Sequence, residues 1–292
     1  MPKTRFVYET DGRKTRSDIL DESAESRGEE RTKMSTYVCG DVHGQKRLFD
    51  AVLERVGFSP DDELVVIGDA IDRGPDGIGI LKFLMETPNA KCLLGNHELM
   101  MWTQYRCRGR SSYWMNPQNG GIVTRREFES LSPDEREKIL DFVEDMYLQV
   151  EVELGGKKFL LSHSDFVPER GTMKWRETNS YDEAFDVVWN SPWRLWEYVP
   201  KEKYAEDGRF HVIGHVPAIS LRENPNPTEA YVDEEFEIAN VDMGCARMSP
   251  DFDDGNDGKS LCVMNLTKYA ESGKDGAFVY AFPKRDGTVG FR

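Results

Sequence analysis

Three short motifs contain the residues of this chain that are best suited to metal chemistry. They read G-D-V-H-G at residues 40–44, G-D-A-I-D-R-G at 68–74 and G-N-H-E at 95–98. In the first motif, Asp41 and His43 can direct a carboxylate oxygen and an imidazole nitrogen toward one metal ion. One such pair is a weak signal, so the case for a metal site depends on the motifs that follow.

The spacing of the motifs predicts how they are positioned. Asp41, Asp69 and Asn96 lie 28 and 27 residues apart, and each follows a short apolar run. Helical patterns of apolar residues separate these runs, so the segment 37–96 predicts two consecutive β-α-β units. Open α/β sheets bind ligands at the carboxyl ends of their parallel strands. We therefore expect all three side chains at the same edge of one sheet.

The later part of the chain contains further apolar runs that we expect to form strands. They lie at residues 150–154, 159–161, 210–213, 238–247, 259–266 and 277–282. We expect 238–247 and 259–266 to form a hairpin around an acidic loop at 251–258, and residues 165–209 to form an irregular, tryptophan-rich cap. The acidic loop lacks the ligand pattern of a calcium-binding EF-hand, so a solvated turn explains it better.

Histidines follow several of the predicted strands. His163 and His215 each come directly after an apolar run, as His43 follows the first strand, and His97 lies in the third motif. A single histidine in such a place is more often structural than a ligand. Four of them beside two aspartates and an asparagine form the mixed oxygen and nitrogen set that suits two Mn, Fe or Zn ions.

The composition restricts the class of protein. The 292 residues include 53 Asp and Glu against 38 Lys and Arg, and the resulting net charge of −15 opposes binding of nucleic acid through a broad basic surface. The five cysteines form no C-x-x-C pair, which is typical of reduced thiols in an intracellular protein. No apolar run approaches the roughly 20 residues of a membrane span. We therefore expect a cytoplasmic protein with no nucleic-acid or membrane partner.

The two ends of the chain differ in character. Residues 1–33 are rich in charged residues and serine, so we expect a flexible N-terminal extension. We expect residues 34–292 to form one α/β domain, because the motifs follow each other at regular spacing. The role of the extension and the oligomeric state stay open at this point.

Taken together, these motifs resemble a known family. G-D-x-H-G, G-D-x-x-D-R-G and G-N-H-E in that order, followed by separate histidine segments, are similar to the metal-dependent phosphoprotein phosphatase family of the calcineurin-like metallophosphoesterases. Trp114 and the segments 119–121 and 240–244 are similar to the short bacterial and phage-type branch. The resemblance covers residues 35 to about 282. It implies an α/β fold of four layers, a β-sandwich flanked by helices, with 34–292 as the catalytic domain.

The resemblance also implies a role for each motif residue. Six residues would bind two metal ions: Asp41, His43, Asp69, Asn96, His163 and His215. The first three would hold one ion and the last four the other, so Asp69 would bridge them, and a hydroxide between the ions would attack phosphorus in line. His97 would protonate the leaving alkoxide, oriented by Asp72. Arg73 and Asn96 would bind phosphate oxygens.

Two parts of the resemblance are loose. The family uses a second phosphate-binding arginine, for which Arg194 is our candidate, with Arg170 and Arg176 as alternatives. After the third histidine segment the family usually carries small residues, whereas this chain has Ser164-Asp165. We expect this difference to place Asp165 near the metals, where it could alter the preference for substrate or metal.

The activity that the resemblance implies is that of a serine/threonine protein phosphatase acting on phosphoproteins or phosphopeptides, with two divalent ions, Mn before Fe or Zn. One alternative is a symmetrical dinucleoside tetraphosphate hydrolase or another nucleotide phosphoesterase. Asp72 and Glu98 favour the phosphatase, because the similar bacterial dinucleotide hydrolases commonly vary at those positions. A second alternative is a catalytically silent metal-containing binding protein. The presence of every ligand, and of His97, argues against it.

Overall fold

Two six-stranded β-sheets form the centre of the protein in a computed structural model that describes residues 34–108, 113–193, 198–247 and 259–292. The predicted extension at 1–33 and the acidic loop at 251–258 lie outside the described residues. Arg194 does so as well. No helix in the described part of the chain is long and apolar enough to cross a membrane.

The first sheet carries the three motifs. Its strands lie in the spatial order β12 (Val289–Phe291), β11 (Phe278–Pro283), β10 (Leu261–Asn265), β1 (Thr36–Cys39), β2 (Glu63–Val66) and β3 (Ala90–Cys92). β1, β2 and β3 run parallel, whereas β10 pairs antiparallel with β1. The carboxyl ends of β1, β2 and β3 therefore meet at one edge, as the motif spacing predicts.

The second sheet carries the later histidines. Its strands lie in the order β6 (Met173–Lys174), β4 (Tyr147–Leu154), β5 (Lys157–Ser162), β7 (Phe210–Ile213), β9 (Ile238–Asn240) and β8 (Tyr231–Asp233). β4 and β5 form a hairpin, and β5, β7 and β9 run parallel. The carboxyl ends of these three strands therefore also meet at one edge of their sheet.

Eight α-helices occur among the described residues. They are α1 (Lys46–Val56), α2 (Gly77–Glu86), α3 (Asn96–Arg106), α4 (Gly121–Ser130), α5 (Pro133–Glu144), α6 (Tyr181–Trp189), α7 (Glu202–Asp207) and α8 (Leu266–Ser272). α1 and α2 connect β1 to β2 and β2 to β3, and complete the two predicted β-α-β units. The sequence does not predict α4, because its first residue is the second of two glycines.

Successive side chains of the strands point to opposite faces, and both faces of each sheet are apolar, so that other layers pack on both. In β1, Val38 packs in the core between the sheets, whereas Tyr37 packs on the outer face with residues of α1 and α2. In β5, Leu161 faces the first sheet and Leu160 packs with Tyr204 of α7. Because neighbouring side chains of a strand point to opposite faces, each sheet is covered on both sides. The predicted four-layer α/β fold is confirmed.

Two parts of the predicted fold are wrong. The strands at 238–240 and 261–265 do not form a hairpin: β9 pairs with β7 in the second sheet, and β10 pairs with β1 in the first. Both strands are buried on both faces, so their sequences do not indicate which sheet they join. The segment 165–209 is also less irregular than expected, because it contains the helices α6 and α7.

Candidate metal centre

Loops from both sheets meet at one edge, where parallel strands end. The loops after β1 and β2 are joined by main-chain hydrogen bonds from Val42 N and His43 N to Asp69 O, at 3.1 and 2.8 Å. In the second sheet, Gly214 N donates to His163 O at 2.9 Å. These bonds hold the predicted ligands of different loops at defined positions relative to each other.

Backbone strain is concentrated in the same loops. Seven non-glycine residues of the described chain have a positive φ, and five of them belong to the predicted site. These five are His43 (46°), Asp69 (48°), Asp72 (70°), Arg73 (68°) and His215 (68°). Each such conformation costs about 1–3 kcal/mol and persists only where the surroundings enforce it, and it is commonest at functional sites.

Glycines allow two of the loops to touch main chain to main chain. A Cβ atom added to Gly74 would lie 2.3 Å from His43 O, and one added to Gly44 would lie 2.6 Å from Gly74 O. Neither position therefore has room for a side chain. This contact explains why the first motif ends in glycine and why the second carries glycine after Arg73.

Asp69 lies at the centre of the site. Its Oδ2 is 3.5 Å from His43 Nε2 and 3.7 Å from His97 Nε2, and its Oδ1 is 3.5 Å from His163 Nε2. Two groups of buried side chains have the spacing to hold a metal ion, and both contain Asp69: one adds His43 and His97, the other adds His163 and His215. This shared position is what a bridging ligand requires.

The hydrogen bonds of two histidines define which nitrogen faces Asp69. His43 Nδ1 donates to Ile71 O at 3.1 Å, and His163 Nδ1 donates to Ile67 O at 3.0 Å. Carbonyl oxygens only accept, so the proton is on Nδ1 and the Nε2 lone pair faces the carboxylate. Burial lowers the pKa of both rings and keeps them neutral. Acceptor atoms facing each other at this spacing are best satisfied by a cation.

The remaining predicted ligands complete this donor set. Asn96 Oδ1 lies 3.1 Å from both His163 Nε2 and His215 Nδ1. His215 Nε2 is buried and has no hydrogen-bond partner among the described residues. The Asp41 carboxylate accepts from His215 N, with the shorter distance 3.1 Å. His215 Nδ1, beside the Asn96 amide oxygen, is thus the nitrogen placed with the other candidate ligands, and this mixed nitrogen and oxygen set fits a borderline-soft divalent ion.

The two carboxylates of the site differ in how readily they ionise. Burial raises the pKa of Asp41, and the nearby carboxylates of Asp242 and Asp69 raise it further. Burial also opposes ionisation of Asp69, but its pKa is held well below the usual range, and His97 makes the largest contribution to this lowering. Asp69 is therefore an anion before any metal is considered, whereas Asp41 gains most from a nearby cation.

His97 and Asp72 form a buried pair. His97 Nδ1 lies 2.6 Å from Asp72 Oδ2, which also accepts from Trp114 Nε1 at 2.8 Å, and Asp72 N donates to Thr124 Oγ1 at 2.9 Å. Burial opposes the charged form of His97, but Asp69 and Asp72 outweigh it and raise its pKa. This arrangement orients Nε2 toward the centre and supports a proton on the ring, as a general acid requires.

Arg73 reaches the same space from the second motif. Its Nη1 is 2.6 Å from His43 Nε2, and its Nη2 is 3.1 Å from His97 Nε2. Gly120 packs directly against it, since an added Cβ there would lie 2.8 Å from Arg73 Cγ. The planar fork of the guanidinium is thus held between a predicted ligand and the predicted acid, where it can bind two phosphate oxygens.

The structure does not bring the alternative arginines to this centre. Arg176 Nη1 pairs with Glu144 at 3.2 Å on the surface, and Arg170 contacts none of the predicted ligands among the described residues. The carboxylate of Asp165, expected near the metals, accepts from Lys203 Nζ at 2.6 Å instead. The second phosphate-binding arginine therefore stays a prediction for Arg194, outside the described residues.

Glu98 has a role that the sequence analysis missed. Its buried carboxylate accepts four main-chain N–H groups: Asp69 and Ala70 at 2.9 Å, Ile71 at 3.2 Å and Gly95 at 3.1 Å. These bonds fasten the second motif to the third and hold Asp69 in its strained conformation. The acidic residue in the first turn of α3 was visible in the sequence, but its partners 27–29 residues away were not.

Replacing Glu98 with glutamine is expected to destabilise the protein. The amide keeps one acceptor oxygen and turns an NH₂ group toward main-chain donors, so at least two buried N–H groups lose their partner. We expect a loss of about 1–3 kcal/mol in the free energy of unfolding, measured by urea denaturation of the metal-free protein. Glu86→Gln, at an exposed position of α2, serves as the control. Equal stability of Glu98→Gln and wild type would contradict this role.

Comparison with known proteins is consistent with this site. A symmetrical bis(5'-nucleosyl)-tetraphosphatase of Erwinia tasmaniensis is 30% identical over 139 residues, which are 47% of this chain and 46% of that protein. A serine/threonine-protein phosphatase 2 of Salmonella typhimurium is 31% identical over 131 residues, 44% of this chain and 58% of that protein. The chain thus spans about half the length of the curated relatives it matches.

The fold has a solved counterpart. A protein serine/threonine phosphatase from Saccharomyces cerevisiae, with similarity to human phosphatase PP5, aligns with a TM-score of 0.54 over 90% of this chain and 81% of that chain. Its sequence identity is 13%, so it shows the likeness of fold alone. The model of the calcineurin-like phosphoesterase family matches residues 34–244, which is most of the chain and includes every predicted ligand. This chain therefore belongs to the calcineurin-like phosphoesterase family.

Proposed function

We propose that this protein hydrolyses phosphate monoesters of alcohols, with phosphoserine and phosphothreonine in proteins as its substrate class. The observation that supports this choice is the buried pair of His97 and Asp72, whose nitrogen and oxygen lie 2.6 Å apart. In this pair, His97 can supply a proton at the centre of the site, and Asp72 orients its ring.

The chain's own residues have distinct tasks in this proposal. Two divalent ions, Mn before Fe or Zn, held by the predicted ligands would activate water and polarise the phosphoryl group. Arg73 binds the phosphate oxygens and orients the ester bond. Asp72 Oδ2 accepts a hydrogen bond from His97 Nδ1, so that the opposite nitrogen, Nε2, directs its proton at the leaving oxygen. Trp114 holds Asp72 in place for this task.

The leaving group decides how much this proton matters. A serine or threonine alkoxide is a strong base and leaves poorly unless it is protonated as the bond breaks. A nucleoside diphosphate leaves as a stabilised anion and has little need of a general acid. An enzyme that buries and orients a dedicated acid therefore fits an alcohol ester better than a polyphosphate. The same pair also argues against a catalytically silent binding protein.

Hydrolysis of symmetrical dinucleoside tetraphosphates is the second candidate. It is supported by the relatives, several of which are named symmetrical bis(5'-nucleosyl)-tetraphosphatases. The metal ligands and Arg73 serve either substrate equally well, because both reactions displace an oxygen from phosphorus. The two candidates therefore differ in the leaving group and in what surrounds the phosphate.

A side-by-side assay tests the proposal. Full-length protein loaded with Mn is given a phosphoserine peptide, diadenosine tetraphosphate and p-nitrophenyl phosphate, and kcat/KM is measured for each. We expect the phosphopeptide to be preferred over the dinucleotide. A clear preference for the dinucleotide would overturn the proposal in favour of the second candidate. Absence of turnover with all three would favour a binding protein.

A further inference from the structure

One segment of this acidic chain has the opposite charge. Residues 99–126 contain five arginines and no aspartate or glutamate, although the whole chain has a net charge of −15. The segment comprises most of α3, the residues between α3 and α4, and the first half of α4. It also includes Trp114 and Thr124, which contact Asp72, and Gly120, which packs against Arg73. The basic segment therefore borders the candidate site.

The first turns of α4 present an apolar and a basic side chain to solvent. Ile122 is 44% exposed, and Arg126 is exposed one turn later. Residues four apart lie on the same face of a helix. Thr124, between them, points inward to Asp72. Ile122 and Arg126 thus form a stripe that begins where Gly120 touches Arg73.

The neighbouring arginines are neutralised, but Arg126 is not. Arg125 pairs with Glu129 at 2.8 Å, and Arg106 pairs with Glu137 at 2.7 Å. Arg126 forms no ion pair with any residue in the described ranges. Among the described residues, Arg126 is thus an exposed cation without a counter-charge, one turn from exposed Ile122 on the helix that begins beside Arg73, and it is complementary to an anionic ligand that extends beyond the phosphate.

A second exposed apolar residue lies beside this stripe. Tyr113 is 55% exposed, and its carbonyl accepts from Asn119 Nδ2 at 2.8 Å, which places it against the turn that leads into α4. Tyr113 and Ile122 are two of only six exposed large apolar residues in the described part of the chain. Their position at one side of Arg73 gives the site an apolar border followed by a positive charge.

We infer that this border, formed by Tyr113, Ile122 and Arg126, binds the peptide segment next to the phosphorylated residue and selects an acidic residue in it. The inference rests on the proposed function and adds to it a preference for the residues on one side of the phosphorylated residue. From Gly120 to Arg126 the helix advances about 9 Å, and an extended peptide advances about 3.3 Å per residue. The acidic residue therefore lies about three positions from the phosphorylated one, with an apolar residue between them.

Paired phosphopeptides test this inference. Each pair consists of two phosphoserine peptides that differ at one position, which is glutamate in one peptide and lysine in the other. In one pair this position lies three residues before the phosphoserine, and in a second pair it lies three residues after. We measure kcat/KM for each peptide with Mn-loaded protein. An exposed ion pair is worth a few tenths to about 1 kcal/mol, so we expect wild type to prefer the glutamate peptide by about twofold to fivefold on one side. Arg126→Glu is expected to reverse that preference, which loss of structure alone would not do.

The control is Lys138→Glu, which makes the same charge change at an exposed position of α5. It should keep the wild-type ratio between the two peptides. Equal kcat/KM for both peptides with wild type, or a ratio that Arg126→Glu leaves unchanged, overturns the inference while the phosphatase proposal stands. Failure of wild type to hydrolyse any phosphopeptide, with turnover of diadenosine tetraphosphate, overturns both.

Discussion

The variant Asp69→Asn is expected to lose almost all phosphoesterase activity. The carboxylate lies within 3.7 Å of His43, His97 and His163, and both candidate metal groups include it. An asparagine would keep one oxygen that can bind a metal ion. Its NH₂ group would point at the second group of candidate ligands and cannot bind a cation. Metal ions supply several kcal/mol of transition-state stabilisation, so we expect kcat/KM for p-nitrophenyl phosphate to fall about 10²–10⁴-fold.

Metal content separates this effect from simple unfolding. Asp69→Asn should bind less Mn per chain in equilibrium dialysis, while its circular dichroism stays close to that of wild type. Asp61→Asn, at an exposed aspartate near the start of β2, is the matched control and should keep both activity and metal. If Asp69→Asn retained full metal content and activity, Asp69 would not be the shared ligand.

His97→Asn is expected to slow hydrolysis by a factor that depends on the leaving group of the substrate. The variant removes the ring that Asp72 orients at 2.6 Å, and asparagine has no proton to release at neutral pH. General acid catalysis contributes about 10²–10⁴-fold, so we expect a loss of that size in kcat for phosphoserine peptides. p-Nitrophenolate leaves without protonation, so the loss for p-nitrophenyl phosphate should be much smaller. Both values come from the same steady-state assay.

The ratio of the two losses is the informative quantity. A structural role of His97, or a weakened metal site, would slow both substrates by the same factor. Equal losses would therefore contradict its assignment as the general acid. Asp72→Asn is expected to follow the pattern of His97→Asn in weaker form, because the ring stays in place but loses the carboxylate that favours its charged form.

The positions of the metal-ligand candidates could be predicted because a parallel sheet converts sequence position into spatial position. Asp41, Asp69 and Asn96 each follow a strand that runs in the same direction, so their side chains meet at one edge without any long-range information. His163 and His215 follow parallel strands of the second sheet in the same way. Residue type and strand direction were sufficient for this part of the site.

Other parts could not be predicted, because they depend on pairings between distant segments. The strands β9 and β10 are both apolar on both faces, and only the available partners decide that they join different sheets. Glu98 is a further example, since its four N–H partners come together only when the second and third motifs are in contact. Asp72 likewise finds Trp114 and Thr124 at separations of 42 and 52 residues.

The sequence by itself determined the fold class, the set of side chains that could bind metal, and the edge at which they gather. Only the tertiary structure decided how those side chains are oriented. Main-chain carbonyls of Ile71 and Ile67 set which nitrogen of His43 and His163 faces Asp69, and bonds between loops hold Asp69 at a positive φ. Such orientation arises from buried polar groups that must all be satisfied at once, and local sequence does not contain that condition.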